Sequence, residues 1–273
     1  MKALFQGRRM LNAIASSYTG MKAHQLKLDN AAHNIANIGT PGFKERQLSF
    51  QDLPYKPLAE RRLPNLQQQP RPNQVGTGVR SRPAAVGHYR QGDLMIGSRP
   101  TEIAIEGPGF FRITRPDGSH VYTRSGFFSP NAEGNLQAPG GELLLPLLNL
   151  AEREDVLPGT LAINQDGVIT ALNADNEQVE LGRIAIYTFA NVEGLLSEGA
   201  TFFSPTPASG EPQEGFPGEE GFGTLQPGYL EQSTVDLSRQ MVELIKGQRG
   251  LQFSARSLVT AEELWAMSLN IRS

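Results

Sequence analysis

Apolar residues recur at alternating steps of three and four near both ends of the chain and lose that rhythm between them. At the N-terminal end Leu11, Ile14, Tyr18, Met21, Leu28, Ala32 and Ile35 keep the rhythm, with Gln25 as a polar exception, which predicts a long helix carrying a heptad-like seam. Gly39-Thr40-Pro41-Gly42 ends it, because glycine takes a left-handed cap and proline cannot continue a helix. At the C-terminal end Leu237, Met241, Leu244, Leu251, Ala255, Leu258, Trp265 and Leu269 repeat the alternation, broken by Gln248 and Glu262. Ser233 followed by Asp236 resembles a capping box and places the helix start near Thr234 and its end near residue 271, a rod of about 57 Å at 1.5 Å per residue. Gly247 and Gly250 lie inside it and weaken it by about 1 kcal/mol each relative to alanine. A stripe that long needs cover, so the two terminal helices are expected to pair as a coiled coil and to offer seam residues to neighbouring copies.

Between the ends the period changes to two. Phe110 to Thr114 and His120 to Thr123, joined through Pro116-Asp117-Gly118, predict a β-hairpin, and Asp117-Gly118 reads as a type I′ turn. Ala132 to Asn135 turns the chain again, Asp166-Gly167 separates strands at 161–163 and 168–170, and residues 183–189 add a further strand. Segment 204–228 is rich in Gly and Pro and is expected to be a mobile excursion. Segment 54–74, with its prolines and glutamines, is expected to be extended and to stay out of any sheet. The predicted organisation is α+β: an N-terminal helical segment over 1–45, a Pro/Gln-rich linker over 46–74, a β-rich middle domain over 75–228 inserted between the helices, and a C-terminal helix over 229–273 that pairs with the first.

Composition sharpens this. With 29 Gly and 19 Pro against 7% aromatic residues, the chain favours turns and short strands over a helical bundle. The net charge of -3 gives no global basic field, and Arg61, Arg62, Arg71, Arg80 and Arg82 lack interleaved aromatic platforms, so no nucleic-acid partner is expected. Zero cysteines exclude disulfides, thiolate zinc sites and cysteine nucleophiles. No apolar run is long enough to span a bilayer, and the start of the chain lacks the apolar stretch of a cleaved secretory leader. His24, His33, His88 and His120 are scattered, no nucleophile or phosphate-loop motif is present, and Asp117 and Asp166 are explained by their turns. The expectation is therefore a non-enzyme with no catalytic residues, no cofactor and no metal.

Several segments carry a resemblance. Asn34-Ile35-Ala36-Asn37-Ile38-Gly39-Thr40-Pro41-Gly42-Phe43-Lys44 is similar to the N-terminal signature of bacterial flagellar rod and hook proteins, N-[IL]-A-N-x-x-T-x-G-[FY]-K. Ile105 to Phe111, Tyr122 to Gly126, and Gly140-Gly141 with Pro146 resemble the middle domain of the same family, and Gly228 to Asp236 its C-terminal entry. Residues 49–55 and 75–80, flanking the linker, resemble the family's distal-rod branch.

The resemblance implies a structural axial subunit that polymerises helically into the distal rod of the basal body and transmits torque to the hook. It marks Asn34, Asn37, Thr40, Gly42 and Phe43 as motif residues. The seams Leu11, Ile14, Tyr18, Met21, Leu28, Ile35 and Leu237, Met241, Leu244, Leu251, Leu258, Trp265, Leu269 become assembly interfaces. The implied partners are copies of the same chain, other flagellar rod proteins, the hook protein and the flagellar type III export apparatus, with no direct membrane insertion and a location beyond the inner membrane. A proximal or Gram-positive rod variant, a hook-like protein, and a secreted surface-binding module remain alternatives at this point.

Overall fold

The structure is a computed structural model and describes residues 2–52, 56–57, 74–75, 79–81, 85–86, 89–148, 160–173, 175, 177–199 and 201–270. The chain is α+β and divides into two compact units, one of residues 1–35, 46–85 and 237–273, the other of residues 36–45 and 86–236.

The first unit is built on α1, Lys2–Ala36, and α2, Leu237–Asn270. α1 starts nine residues ahead of Leu11, where the apolar rhythm begins, because Ala3, Leu4, Gln6, Arg8, Arg9 and Met10 are all good helix formers. Beside the helices Phe50–Asp52 pairs antiparallel with Val79–Ser81, and Lys56–Pro57 with Gln74–Val75. Both ends of segment 54–74 are therefore strand-paired, contrary to the expectation that its prolines keep it out of a ladder. A two-stranded ribbon has only edges, and there a proline without an amide proton is tolerated. The rest of that segment, with Arg61, Arg62 and Arg71, lies outside the described residues.

The second unit is β-rich. Its main sheet runs in the order Ser129–Pro130, Leu136–Gln137, Leu143–Leu144, Phe110–Thr114, His120–Thr123, Phe202–Ser204, Leu196–Ser197, and Ile186–Thr188 joins it through both Phe110–Phe111 and Gln213–Gly215. A smaller sheet holds Ala162–Ile163, Val168–Leu172 and Gln178–Arg183. Because side chains alternate along a strand, Phe110 and Phe111 point to opposite faces. Phe111 and Ile113, with Val121 and Ile186 opposite them, enter an aliphatic core that also holds Ile103, Ile105, Ile169 and Leu225. Phe110, with Tyr187 opposite it, joins Tyr122, Phe189, Leu195 and Phe203 in an aromatic cluster on the other face. Its rings meet edge to face, as between Tyr122 and Phe189 at 5.0 Å.

One turn design closes several hairpins. Arg115, Asn131, Ala138 and Asn164 each donate their N–H to the carbonyl four residues on and accept from the glycine three residues on, and those glycines, Gly118, Gly134, Gly141 and Gly167, sit at φ of 80, 77, 90 and 80°. These are three-residue loops with a left-handed glycine, not the two-residue type I′ turn expected at Asp117-Gly118. The side chains of Asn131 and Asn164 accept two further backbone N–H groups each, which locks the longer loop.

Segment 204–228 is ordered, in contrast to the mobile excursion expected. Gln213–Gly215 and Thr224–Pro227 are ladder strands, Leu225 is fully buried, and Phe222 packs against the aliphatic core. Gly210, Gly218, Gly221 and Gly228 take positive φ between its strands, and Gly215 is small because the Phe222 ring occupies the place of a Cβ.

Phe111 lies at the centre of the aliphatic core at 0% exposure. Phe111→Ala is expected to lower stability by about 3–5 kcal/mol in urea denaturation of the full chain, followed by tyrosine fluorescence. A loss below about 1 kcal/mol would place Phe111 outside the cooperative core.

Candidate functional site

Within the first unit α1 and α2 run antiparallel: partners on α2 fall from 257 to 240 as positions on α1 climb from 17 to 34. Ser17 and Ser257 share a hydrogen bond of 2.9 Å, Lys27 and Glu243 approach to 4.0 Å, and Asn34 Nδ2 donates to Gln240 Oε1 at 3.2 Å. Between these the contact is made by small residues. A Cβ on Gly250 would stand 2.3 Å from the His24 ring, one on Gly247 3.1 Å from Leu28, and one on Gly20 3.4 Å from Ser254. The glycines that reduce helix propensity thus let large side chains of α1 come close to the α2 backbone. Lys246 and Lys27 hold the Glu243 carboxyl below the usual carboxylate range, the i,i+3 hydrogen bond from Lys246 being the main cause.

Of the N-terminal seam positions, Ile14, Met21, Leu28 and Ile35 are half-buried and Tyr18 is exposed. Of the C-terminal ones, Leu244, Leu251 and Leu258 are half-buried, while Leu237 and Met241 are exposed. Leu11, Trp265 and Leu269 lie outside the residues with described side chains. Gln25, Gln248 and Glu262 are exposed, and polar contacts across the pair include Asn34 with Gln240, Ser17 with Ser257 and Lys27 with Glu243. At about 100° per residue, Met241, Val242, Ile245, Phe253, Val259, Leu264 and Met267 fall within one arc of about 140° on α2, on the side away from Gly247, Gly250 and Ser254. Every one of them is exposed, Phe253 by 70%.

The motif residues do local backbone work. Asn34, fully buried, accepts from the Arg46 N–H at 3.0 Å and donates to the Arg46 carbonyl at 2.9 Å, imitating a strand partner. In the second unit the Thr40 N–H donates to the Asn37 carbonyl and the Phe43 N–H to the Thr40 carbonyl, which closes the turn after α1. Gly42 has φ +71°, and a Cβ there would lie 2.6 Å from the Ser125 nitrogen, so both conformation and space require glycine. Its N–H donates to the Glu231 carbonyl, and Phe43, 1% exposed, accepts from the Thr234 N–H.

Beside this turn lies a buried charge cluster that sequence reading missed. Glu231 Oε1 takes the Lys44 ammonium at 2.5 Å and the Gly92 N–H at 2.8 Å, while Oε2 takes Arg124 Nε at 2.8 Å. Lys44 also donates to the Arg90 carbonyl, and Arg124 reaches the carbonyls of Ile105, Gly107 and Gly109. The side chains are 2%, 6% and 0% exposed for Lys44, Arg124 and Glu231. Burial pushes the Lys44 ammonium below its usual range, and Glu231 opposes that shift. The available signal was that each of the three stood inside a family-like segment.

Two experiments test these contacts. Glu231→Gln strands two buried cations and should cost about 3–5 kcal/mol in thermal unfolding, whereas Glu198→Gln at the more exposed Arg115 pair should stay within about 1 kcal/mol. Equal effects would mean that the buried cluster contributes no more than a surface pair. Gly250→Ala should give its propensity gain of about 1 kcal/mol only in a His24→Ala background, a coupling that a double-mutant cycle measures. Additive effects would separate His24 from Gly250.

Among the described residues no group of side chains could hold a metal ion, and no helix is long and apolar enough to cross a membrane. Two family models match the chain: the flagellar hook protein FlgE/F/G D1 domain over residues 104–171, and the flagellar basal body rod FlgEFG protein C-terminal over residues 226–271. The flagellar basal-body rod protein FlgG of Borreliella burgdorferi is 33% identical over 266 residues, covering 96% of this chain and 99% of that protein. The FlgG of Agrobacterium fabrum is 35% identical over 259 residues, covering 93% and 97%. The flagellar hook protein FlgE of Escherichia coli is 42% identical over 119 residues, 42% of this chain and 29% of that protein. With 93–96% of its length matched to these rod proteins and both family models found within it, the chain belongs to the family of flagellar basal-body rod and hook proteins.

Proposed function

We propose that the protein is a structural subunit of the flagellar basal body that polymerises with copies of itself into the distal rod and transmits torque to the hook. The observation that carries this is the uncovered apolar arc of α2, on the face opposite the small-residue contact with α1. A contiguous apolar strip in water marks a surface made for another chain, and contacts between different faces of identical subunits propagate into a helix. Full-length similarity to rod proteins, set against a partial match to a hook protein, favours rod over hook. A structural role needs no catalytic group, and the related rod and hook proteins are structural.

The antiparallel contacts support reading α1 and α2 as a coiled-coil-like pair, with the seam residues named above and the exposed arc serving as assembly surface. Residues 1–35 and 237–273 then carry the assembly part, and 36–45 with 86–236 the β part. Other rod proteins and the hook protein are the neighbours in the rod, and the type III apparatus is the export route.

The test is a deletion strain viewed by electron microscopy of isolated basal bodies. Swimming should be lost, hooks should be absent, and the wild-type gene should restore both. A gene carrying Ile245→Asp and Phe253→Asp should fail to restore hooks while the subunit accumulates to normal levels. Normal hooks on deletion cells, or full rescue by the double variant, would overturn the proposal.

A further inference from the structure

A cavity of about 290 Å³ opens in the β-rich unit beside the buried charge cluster. One side of its lining is apolar, with Phe110, Phe189 and Val192 from the aromatic cluster. The other side is polar and includes Lys44 and Arg124. Preformed cavities with apolar walls and a few convergent polar groups are the usual form of a small-ligand site.

The charges on the polar side do not balance. Among the described residues Lys44 and Arg124 share one ion-pair partner, so two positive charges face the single carboxylate of Glu231. An excess charge held out of water is unfavourable unless an opposite charge joins it. Donor capacity remains as well. An ammonium has three N–H groups, of which Lys44 uses those to Glu231 and Arg90; a guanidinium has five, of which Arg124 uses those to Glu231, Gly109, Ile105 and Gly107. Each cation therefore keeps one N–H beyond its protein partners. The neighbouring carbonyls are already engaged by Arg124, and Gln91 is held by the Gly107 N–H and the Ile105 carbonyl, so beside Lys44 and Arg124 the cavity offers donors and positive charge.

We propose that this cavity binds a monoanionic carboxylate carried on a small aromatic or aliphatic body, with the carboxylate against Lys44 and Arg124 and the body against Phe110, Phe189 and Val192. Phosphate or sulfate would supply negative charge and leave the apolar wall uncovered; a neutral aromatic would cover the wall and leave the charge. The same chemistry is offered by a free aromatic acid and by the terminal carboxylate of a peptide ending in an apolar residue.

The experiment is titration of the isotope-labelled full chain by NMR with benzoate, benzyl alcohol, N-acetylphenylalanine and N-acetylphenylalaninamide. Saturable shifts at Gln91, Gly107 and Val192 are expected with benzoate, N-acetylphenylalanine or both, and at least tenfold weaker binding of the uncharged alcohol and amide. Benzoate binding indicates a free acid, and N-acetylphenylalanine binding without benzoate binding a chain end; either supports the site. Lys44→Met should weaken the acid at least tenfold. If that variant does not fold, Val192→Trp, which fills the apolar wall and leaves the charge cluster intact, should abolish the shifts. Equal binding of acid and uncharged analogue, shifts confined to α2, or no saturation by any of the four compounds would overturn the proposal.

Discussion

The Glu231 carboxylate joins three parts of the β-rich unit that are distant in sequence. It receives Lys44 from the turn after α1, Arg124 from the end of the central hairpin, and the Gly92 N–H from the segment leading into strand 94–96. A carboxylate held at 0% exposure is tolerable only with its lone pairs filled, so all these donors must be in place together. Glu231 lies on strand 229–231, and its own carbonyl accepts the Gly42 N–H. Residues 42–45 are thereby laid along 231–234, with the Phe43–Thr234 and Glu45–Thr234 bonds continuing the line. The chain enters and leaves this unit side by side because one anion holds both passes.

Arg124 extends that constraint into the sheet. Its guanidinium fixes the carbonyls of Ile105, Gly107 and Gly109, so the turn leading into Phe110 has one shape. Phe110 and Phe111 follow at once and commit the strand to both cores, the aromatic cluster on one face and the aliphatic core on the other. A slip of one residue would exchange the two faces, placing Ile113 among aromatic rings and Arg112 in the aliphatic core. The charge cluster and the sheet register therefore support each other: the arginine sets the turn, and the two phenylalanines make any other register unfavourable.

Local pattern made the elements legible and left their partners obscure. The three-four rhythm located both helices, since an amphipathic period survives in sequence, and the hairpin at 110–123 followed from alternation and its Asp-Gly turn. The face that α2 turns to α1 was harder to see. The rhythm weights large apolar residues, whereas the closest contacts use Gly247, Gly250 and Ser254, which score as helix breakers or neutral positions. The apolar rhythm by itself begins only at Leu11, because residues 2–10 carry helix propensity without it. Segment 204–228 misled for a related reason: composition counts its glycines and prolines, but Leu225 and Phe222 decide its order by packing on residues far away in the chain. The cluster of Lys44, Arg124 and Glu231 was out of reach of local reading, because each charge looks like an ordinary surface residue until the fold brings the three together.

The two faces of α2 impose opposite demands on its composition. Close approach of the α1 side chains requires small residues, and glycine inside a helix lowers its intrinsic stability. A helix so weakened needs packing to persist, and the contact with α1 covers only the side that holds Gly247, Gly250 and Ser254. Large apolar residues occupy the other side, where Met241, Ile245, Phe253 and Met267 remain half or more exposed. The small-residue face fixes how α2 meets its own chain and the large-residue face stays exposed, so the sequence features that weaken α2 alone are the ones that would favour it in the proposed assembly.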